Sequence, residues 1–301
     1  MSLSDLKRRI GTVKNTSKIT KAMSLISAAQ ISKFKNLLQS YENYHRLICQ
    51  FACVITLKAR TRLDTSIENV PVDDKLVVES CQKYLGIEVD YIVGKRKLLV
   101  IITGEKGLCG SFNSSVVSKT LSMVDDDTDV LCVGKKGFEM LMKNRKKKIS
   151  IVDSSYIDLN SKQISAKIVM EGVTEKLLRL LASNLYIQLE VVYTEFKTML
   201  RQEVVTKKLF PLILDNCNFE EIAFDSNPMV MLDHVIPQYI NSVMYFATLN
   251  SIKSETVKRM MTMDSANKNS KDMLHDLTLK YNRARQTKVT MELIEVISGM
   301  V

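Results

Sequence analysis

The C-terminal part of the chain contains, at residues 274–284, the sequence LHDLTLKYNRA. Its apolar positions follow one another at steps of three, four and three, which is the spacing of a coiled-coil seam. These positions are Leu274, Leu277, Tyr281 and Ala284. From residue 229 to residue 301, Pro occurs only at Pro237 and Gly only at Gly299. The sequence therefore predicts one helix, about 100 Å long at roughly 1.5 Å per residue.

This C-terminal seam ends beyond Ala284. Its next positions hold Lys288, Met291 and Glu295, while the apolar residues move to another face of the helix. We call that second set the apolar tip, and it consists of Val289, Leu293, Val296 and Ile297. We expect the helix to have a partner along much of its length and an apolar end that a surface outside the chain must bury.

The N-terminal residues 3–55 carry the same spacing without interruption, after Ser2 and Asp5, which fit a capping box. The seam positions are Leu3, Leu6, Ile10, Val13, Ser17, Thr20, Ser24, Ser27, Ile31, Phe34, Leu38, Tyr41, His45, Ile48, Ala52 and Ile55. Several are small and polar, and the C-terminal seam is likewise interrupted by Asn267 and Ser270. We infer that the two terminal helices pair with each other, antiparallel if a domain lies between them.

A second face of the N-terminal helix carries Ile19, Met23 and Ile26. Lysines surround it, at positions 14, 18, 21 and 33. Two interpretations are open. The face packs within its own domain, or it contacts another protein whose acidic residues meet the lysines.

The middle of the chain alternates predicted strands with predicted helices. The sequence KLLVIIT at residues 97–103 is typical of a buried parallel strand. Further strands are predicted at residues 130–133, 149–152, 189–196, 203–209 and 221–224, and helices at 73–85, 113–124, 138–143 and 163–184. This alternation predicts a doubly wound α/β domain. The predicted segments are an N-terminal helix (1–57), a connecting segment (58–96), the α/β domain (97–225) and the C-terminal helix (229–301).

Composition narrows the class of protein. The chain has 301 residues, of which 46% are hydrophobic, so it is globular rather than disordered. It has neither an apolar run of about 18 residues nor the apolar segment of a signal peptide, which predicts that it stays in the compartment where it is made or arrives already trimmed. A net charge of +10 favours an acidic partner: nucleic acid, an anionic membrane surface or an acidic protein. Six cysteines without paired spacing favour reduced thiols.

Three motifs suggest chemistry, but each has a simpler interpretation. Residues 104–111, GEKGLCGS, follow a strand and precede a helix, as a phosphate-binding loop would, yet they match neither nucleotide-binding pattern, so a tight turn is favoured. Cys109 in this loop would need a histidine base to act as a nucleophile, and the α/β segment has no histidine.

Two other motifs lie outside this loop. The spacing of His45, Cys49 and Cys53 is that of metal ligands, but packing of the helix explains these residues more simply. The basic run at residues 143–148 is more typical of a solvated turn than of a nucleic-acid site.

The two ends and the central loop together resemble the gamma subunit family of F-type ATP synthases. The N-terminal signature is KNTSKITKAM at residues 14–23, and the central one is GLCG at residues 107–110 with Asn113. The C-terminal signature comprises YNRARQ at residues 281–286, VTME at 289–292, Glu295-Val296 and Ser298-Gly299, with Ser254-Glu255, Arg259-Met260 and Met263 before it. The motifs stand in the family's order and span the chain.

The resemblance implies a long antiparallel coiled coil of the terminal helices beside a Rossmann-like α/β domain. It implies a non-catalytic rotor shaft without a cofactor or metal, turning inside a hexamer of alpha and beta subunits. The globular end would contact the epsilon subunit and the membrane ring of c subunits, which would provide the only membrane contact. Residues matching Met23, Arg259, Arg285, Gln286 and Thr290 would face the beta subunits. Ile19 and Ile26 beside Met23, and Val289, Leu293 and Ile297 of the apolar tip, are further predicted partner-binding residues.

We therefore expect a peripheral subunit at the cytoplasmic face of a bacterial inner membrane, with the coupled ion left open. The alternative is a basic coiled-coil protein that binds nucleic acid. The chain departs from the family pattern at three places. Glu105-Lys106 stands in place of Asp-Arg, and Lys288 and Met291 replace residues that are commonly small or polar in the family. Segment 58–96 matches the family poorly. Cys217 stands alone in its region, so the regulatory cysteine pair of the chloroplast form is not indicated.

Overall fold

The computed structural model describes residues 2–66, 96–144, 149–155, 164–183, 185–212 and 227–299. The helices are α1 (Leu3–Ser66), α2 (Phe112–Met123), α3 (Lys135–Met142), α4 (Ile164–Ala182) and α5 (Pro228–Ser298). The strands are β1 (Arg96–Ile102), β2 (Thr128–Val133), β3 (Ser150–Ser155), β4 (Tyr186–Phe196) and β5 (Gln202–Phe210). Two compact units result: unit 1 comprises Met1–Ile31, Leu108–Gly110 and Thr256–Val301, and unit 2 comprises Ser32–Gly107 and Ser111–Glu255.

Unit 1 contains the first part of α1 and the second part of α5. The predicted capping box is confirmed, because the amide of Asp5 donates to Ser2 Oγ at 3.1 Å and the Ser2 amide donates to the Asp5 carboxylate at 3.3 Å. Every α1 seam position from Leu3 to Ile31 is buried or half-buried. On α5, Met263, Asn267 and Leu277 are buried along the predicted seam. The 3.6-residue period thus buries one stripe of each helix.

Unit 2 holds a five-stranded sheet in the order β3-β2-β1-β4-β5. Strands β1, β2, β3 and β4 are parallel, and β5 pairs antiparallel with β4. The β1–β4 register matches Ile101 with Val192, and the β1–β2 register matches Ile101 with Cys132. This order, with the parallel strands joined through helices, is the doubly wound Rossmann-like arrangement that was predicted.

The sheet is covered on both faces. One face packs on α1, α4 and α5 through a core that includes Ile55, Leu177 and Tyr239. The other face packs on α2 and α3 through residues that include Val116 and Leu141. Alternate residues of β1 serve the two cores, which is why its sequence is continuously apolar.

α1 and α5 also pair within unit 2, and there they run antiparallel. Tyr41 packs edge-on against Tyr245 with ring centroids 4.6 Å apart, and the ring of His45 lies 3.0 Å from the hydroxyl of Ser242. Residue numbers therefore rise along α1 as they fall along α5. The predicted antiparallel pairing of the terminal helices is confirmed.

Element boundaries differ from the sequence prediction at a few places. α1 continues past residue 57 to Ser66, because Ala59 still packs into the core of unit 2. β4 begins at Tyr186, whose buried hydroxyl donates to Asp129 at 2.9 Å. The predicted helix at residues 73–85 and strand at residues 221–224 lie outside the described residues, and the four-segment division of the chain stays a prediction.

Candidate partner-binding surface

About the last four turns of α5 carry most of the predicted partner-binding residues. Arg285, Gln286, Val289, Thr290, Leu293 and Ile297 follow one another at steps of one, three or four residues. These steps place all six on one side of the helix, away from the seam that ends at Ala284. The structure thus brings these residues together on a single surface.

The exposure of this surface follows from the register of the two helices in unit 1. Ser17 Oγ donates to Asn267 Oδ1 at 2.9 Å, which aligns these two positions. Since Leu3 begins α1 and lies 14 residues before Ser17, the start of α1 lies opposite about residue 281 of α5. α5 itself continues to Ser298. Beyond this level α5 has no neighbouring turn of α1 to cover it.

The side chains at the end of α5 are accordingly in contact with solvent. From Arg285 to Gly299, every residue is exposed. The apolar tip is exposed by 49% at Val289, 57% at Leu293 and Val296, and 65% at Ile297. Sequence analysis missed Ile294 and Met291, which are exposed by 59% and 61% and extend the apolar surface around the helix. Their signal was the high apolar content of residues 289–297.

Polar groups on this surface can accept and donate hydrogen bonds. Thr290 Oγ1 donates to the main-chain oxygen of Gln286 at 2.9 Å, and the hydroxyl oxygen can still accept a hydrogen bond. Arg285 presents a planar guanidinium fork and Gln286 both donor and acceptor groups, and both residues are exposed. This combination suits a loop that bears carboxylates or hydroxyls.

The face of α1 with Ile19, Met23 and Ile26 is a second exposed surface of unit 1. Ile19 and Ile26 are exposed by 60% and 59%, and Met23 is half-buried. Ile19 and Ile26 are therefore mostly uncovered by the described part of the chain, and contact of this face with another protein stays a prediction. Leu25, exposed by 62%, lies on a different side of α1.

Arg259 does not belong to the surface at the end of α5. It is half-buried and lies 26 residues before Arg285, a rise of roughly 40 Å along the helix. The register through Ser17 and Asn267 instead places it at about the level of Ile26 on α1. The predicted residues therefore form two groups at two levels of the coiled coil.

The loop after β1 is shaped by the chain itself. The amide of Gly104 donates to Asn113 Oδ1 at 2.8 Å, and Gly110 and Leu108 have positive φ angles of 59° and 62°. Cys109 is buried, with 2% exposure, so a substrate has no access to its sulfur. These features fit the tight turn that the sequence favoured.

The histidine-cysteine set on α1 does not form a metal site. The ring of His45 stacks on Phe246 at 4.2 Å and lies 3.5 Å from Cys49 Sγ. Cys53 is disulfide-bonded, so its sulfur is not a thiolate ligand. The expectation of reduced thiols is wrong for Cys53, because sequence spacing does not report which sulfurs the fold brings together. Cys49, Cys109 and Cys132 are not disulfide-bonded.

Two further predictions concern basic and apolar stretches. Most of the basic run at residues 143–148 lies outside the described residues. Among the helices of the described ranges, none is both long and apolar enough to cross a bilayer.

Comparisons with known proteins agree with these features. Residues 2–301 match the family model described as ATP synthase. The chain is 30% identical to the ATP synthase gamma chains of Rickettsia bellii and Geotalea uraniireducens, over 99% of its own length and 98% and 97% of theirs. None of these matches supports the nucleic-acid alternative.

Solved structures show the same fold. The central stalk of the Tetrahymena thermophila mitochondrial ATP synthase aligns with a TM-score of 0.54 at 21% identity, over 82% of this chain and 99% of that one. A chain of the Euglena gracilis mitochondrial ATP synthase aligns with a TM-score of 0.57 at 16% identity, over 91% of this chain and 94% of that one. With sequence signatures at both ends, a Rossmann-like sheet beside a coiled coil, and family matches over the whole length, this chain belongs to the gamma subunit family of F-type ATP synthases.

Proposed function

We propose that this chain is the rotor of its ATP synthase and couples ion flow through a membrane ring to ATP synthesis and hydrolysis in an alpha/beta hexamer. The observation that carries the proposal is the end of α5, which extends past the start of α1 with every side chain from Arg285 to Gly299 exposed. A helix end of this kind requires a protein surface around it. The Tetrahymena central stalk, which shares this fold, was solved together with a c-ring.

A rotor must contact equivalent partners in turn without binding any of them tightly. Exposed ion pairs suit this task, because each contributes only about 0–1 kcal/mol. With a net charge of +10, the chain is attracted to acidic loops at every angle. The apolar tip adds contact area without directional bonds. Rotation would then shift the nucleotide affinities of the surrounding subunits in sequence.

We assign the contacts as follows. Arg285, Gln286 and Thr290 hold beta-subunit loops at some angles and release them at others. Met23 and Arg259, at the other level of the coiled coil, meet beta subunits as well, with Ile19 and Ile26 beside them. Val289, Leu293 and Ile297 lie within the hexamer. The α/β domain contacts epsilon and the ring of c subunits.

The chain itself is proposed to be non-catalytic and to bind no cofactor. Its loop after β1 lacks a P-loop sequence, and the amide of Gly104 is occupied by Asn113. Catalysis would reside in the partner subunits. We place the subunit peripherally at the cytoplasmic face of a bacterial inner membrane, an assignment supported by the bacterial origin of the relatives.

Purification of the tagged chain from its native membranes tests the assembly. Alpha, beta, epsilon and c subunits should copurify with the chain in fixed ratios. They should remain bound to it during a wash with salt. Recovery of the chain with nucleic acid and without these subunits would overturn the proposal.

A second measurement tests the non-catalytic assignment. The isolated chain, purified to homogeneity, should not hydrolyse ATP. Turnover that disappears on Lys106→Ala substitution would show a catalytic site in the loop and contradict the assignment.

A further inference from the structure

The carboxyl ends of β1 and β4 form the point in this sheet where the strand order reverses. From β1 the chain proceeds to β2 and β3 on one side, and it returns to β4 on the other. Doubly wound folds bind their ligands in the crevice outside this point. The last β1–β4 pair joins Ile101 and Val192, whereas β4 continues to Phe196. The final residues of β4 therefore lack a β1 partner on that side.

In this chain α5 occupies that position and supplies the missing hydrogen bonds. Ser251 Oγ accepts a bond of 3.3 Å from the amide of Thr194, and Ser254 Oγ donates a bond of 3.4 Å to the Thr194 carbonyl. The side-chain oxygen of Asn250 accepts a bond of 3.4 Å from the amide of Phe196. These side chains are buried, so they satisfy main-chain groups that would otherwise be buried without partners.

Glu255 continues this polar face and lies against the loop after β1. Its side chain is 2% exposed. A Cβ atom on Gly104 would stand 2.6 Å from Glu255 Oε1 and 2.7 Å from its Cδ, closer than real side chains approach. The absence of a side chain at Gly104 is what lets the carboxylate lie there. A carboxylate of the chain itself thus lies directly against the loop after β1.

We propose that Glu255 is a positioning residue for rotary coupling, because its carboxylate against Gly104 fixes the rotational setting of α5 on the sheet. A helix held by Ser251, Ser254 and Glu255 cannot turn about its axis without breaking buried polar contacts and driving the carboxylate into the loop. Torque on the end of α5 is then transmitted to the sheet instead of being lost as local twist. The proposal rests on the rotor function proposed above.

The contact is tested first on the isolated full-length chain by thermal melting. Gly104→Ala should lower Tm by roughly 5 °C, because a methyl group is forced onto the carboxylate. The same change in a Glu255→Ala background should leave Tm where Glu255→Ala alone puts it, because the space is then open. In a Glu255→Gln background it should lower Tm again, because the amide has the size of the carboxylate.

Gly107→Ala is the matched control, since nothing lies within 4 Å of a Cβ at that loop position. It should leave Tm unchanged in every background. An unchanged Tm for Gly104→Ala would show that Gly104 and Glu255 are not in contact. Additive losses of Tm in the double variant with Glu255→Ala would show the same.

The positioning role is tested in the reconstituted complex by measuring ATP hydrolysis and ATP-driven ion pumping together. Glu255→Ala and Gly104→Ala should hydrolyse ATP but lose pumping per ATP, whereas Asp264→Ala, at an exposed position of α5, should behave as the parent. If the parent chain restores coupled activity and Glu255→Ala pumps equally well, the positioning role is wrong and the rotor function stands. If the parent chain restores no coupled activity, the rotor function itself is wrong.

Discussion

Ser17 Oγ donates a hydrogen bond of 2.9 Å to Asn267 Oδ1, joining two seam positions that lie 250 residues apart. Asn267 is buried, with 7% exposure. A buried amide in a coiled-coil seam lowers stability but specifies alignment, because a shifted register leaves it without its partner. This bond is therefore central to the register that leaves the end of α5 uncovered.

A double-mutant cycle should detect that bond. Ser17→Ala and Asn267→Ala should each lower the free energy of unfolding, with a coupling between them of about 0.5–1.5 kcal/mol. Urea unfolding of the four variants measures it. Asn269→Ala, at an exposed position two residues away, should show no coupling to Ser17→Ala. Strict additivity between Ser17 and Asn267 would mean that the bond does not form in solution.

The apolar part of the seam should stabilise the coiled coil more than the α/β domain. Leu277 is buried with 7% exposure, and Leu274 is half-buried. Replacing both by Ala should cost about 2–5 kcal/mol at the buried site and less at the other. Assembly and coupling should suffer more than folding of the sheet. Leu279→Ala, at a position with 46% exposure, serves as control. Unchanged melting of both the chain and the complex would exclude these leucines from the seam.

Stability should fall in mild acid because of His45. Burial, with the nearby charge of Lys207, lowers the pKa of His45 from 6.5 to about 4. Below pH 6.5 the unfolded chain takes up a proton that the folded chain refuses, so stability declines as the pH drops from there towards 4. The loss from pH 7 to pH 5 should be about 2 kcal/mol.

Urea unfolding at several pH values measures this loss. His45→Gln should flatten the pH dependence, while His275→Gln, at an exposed position, should leave it as in the parent. A parent-like slope in His45→Gln would assign the effect to other groups.

The paired substitution Arg285→Ala with Gln286→Ala should lower ATP turnover in the assembled complex. Both side chains are exposed on the isolated subunit, so the folded chain should melt as the parent does. Steady-state hydrolysis in the reconstituted complex measures the loss. Lys280→Ala, on the other side of α5, is the control. Hydrolysis and pumping equal to those of the parent would show that Arg285 and Gln286 are not part of the contact surface.

Met23→Lys should degrade coupling and spare assembly. An added ammonium group between Ile19 and Ile26 would form a persistent pair with an acidic loop, so one rotor angle would be held too tightly. The ratio of ion pumping to ATP hydrolysis should fall. Leu25→Lys adds the same charge on another side of α1 and should have the smaller effect. Equal ratios in both variants would show that the charge acts without regard to its position.

The position of the long helices and the buried side of each could be predicted from the spacing of apolar residues in the sequence. The three-four spacing from Leu3 to Ile55 predicted the buried stripe of α1, and the polar residues after Ala284 predicted the end of the α5 seam. The buried face of each helix can be predicted from these patterns because a helix repeats every 3.6 residues and must bury its apolar stripe. The tight turn predicted at residues 104–111 also agrees with the structure. Met291 and Ile294 were missed as exposed apolar residues because they lie away from the predicted face.

Other features depend on which distant residues meet, and the tertiary structure alone decided those. The sequence showed that α5 loses its partner, but only the Ser17–Asn267 register showed the reason, which is that α1 begins opposite about residue 281. The disulfide state of Cys53 and the approach of Glu255 to Gly104 were equally hidden. Periodicity along one chain reports which side of a helix is buried, whereas the partner, the register and the atomic fit arise from packing between segments that the sequence keeps far apart.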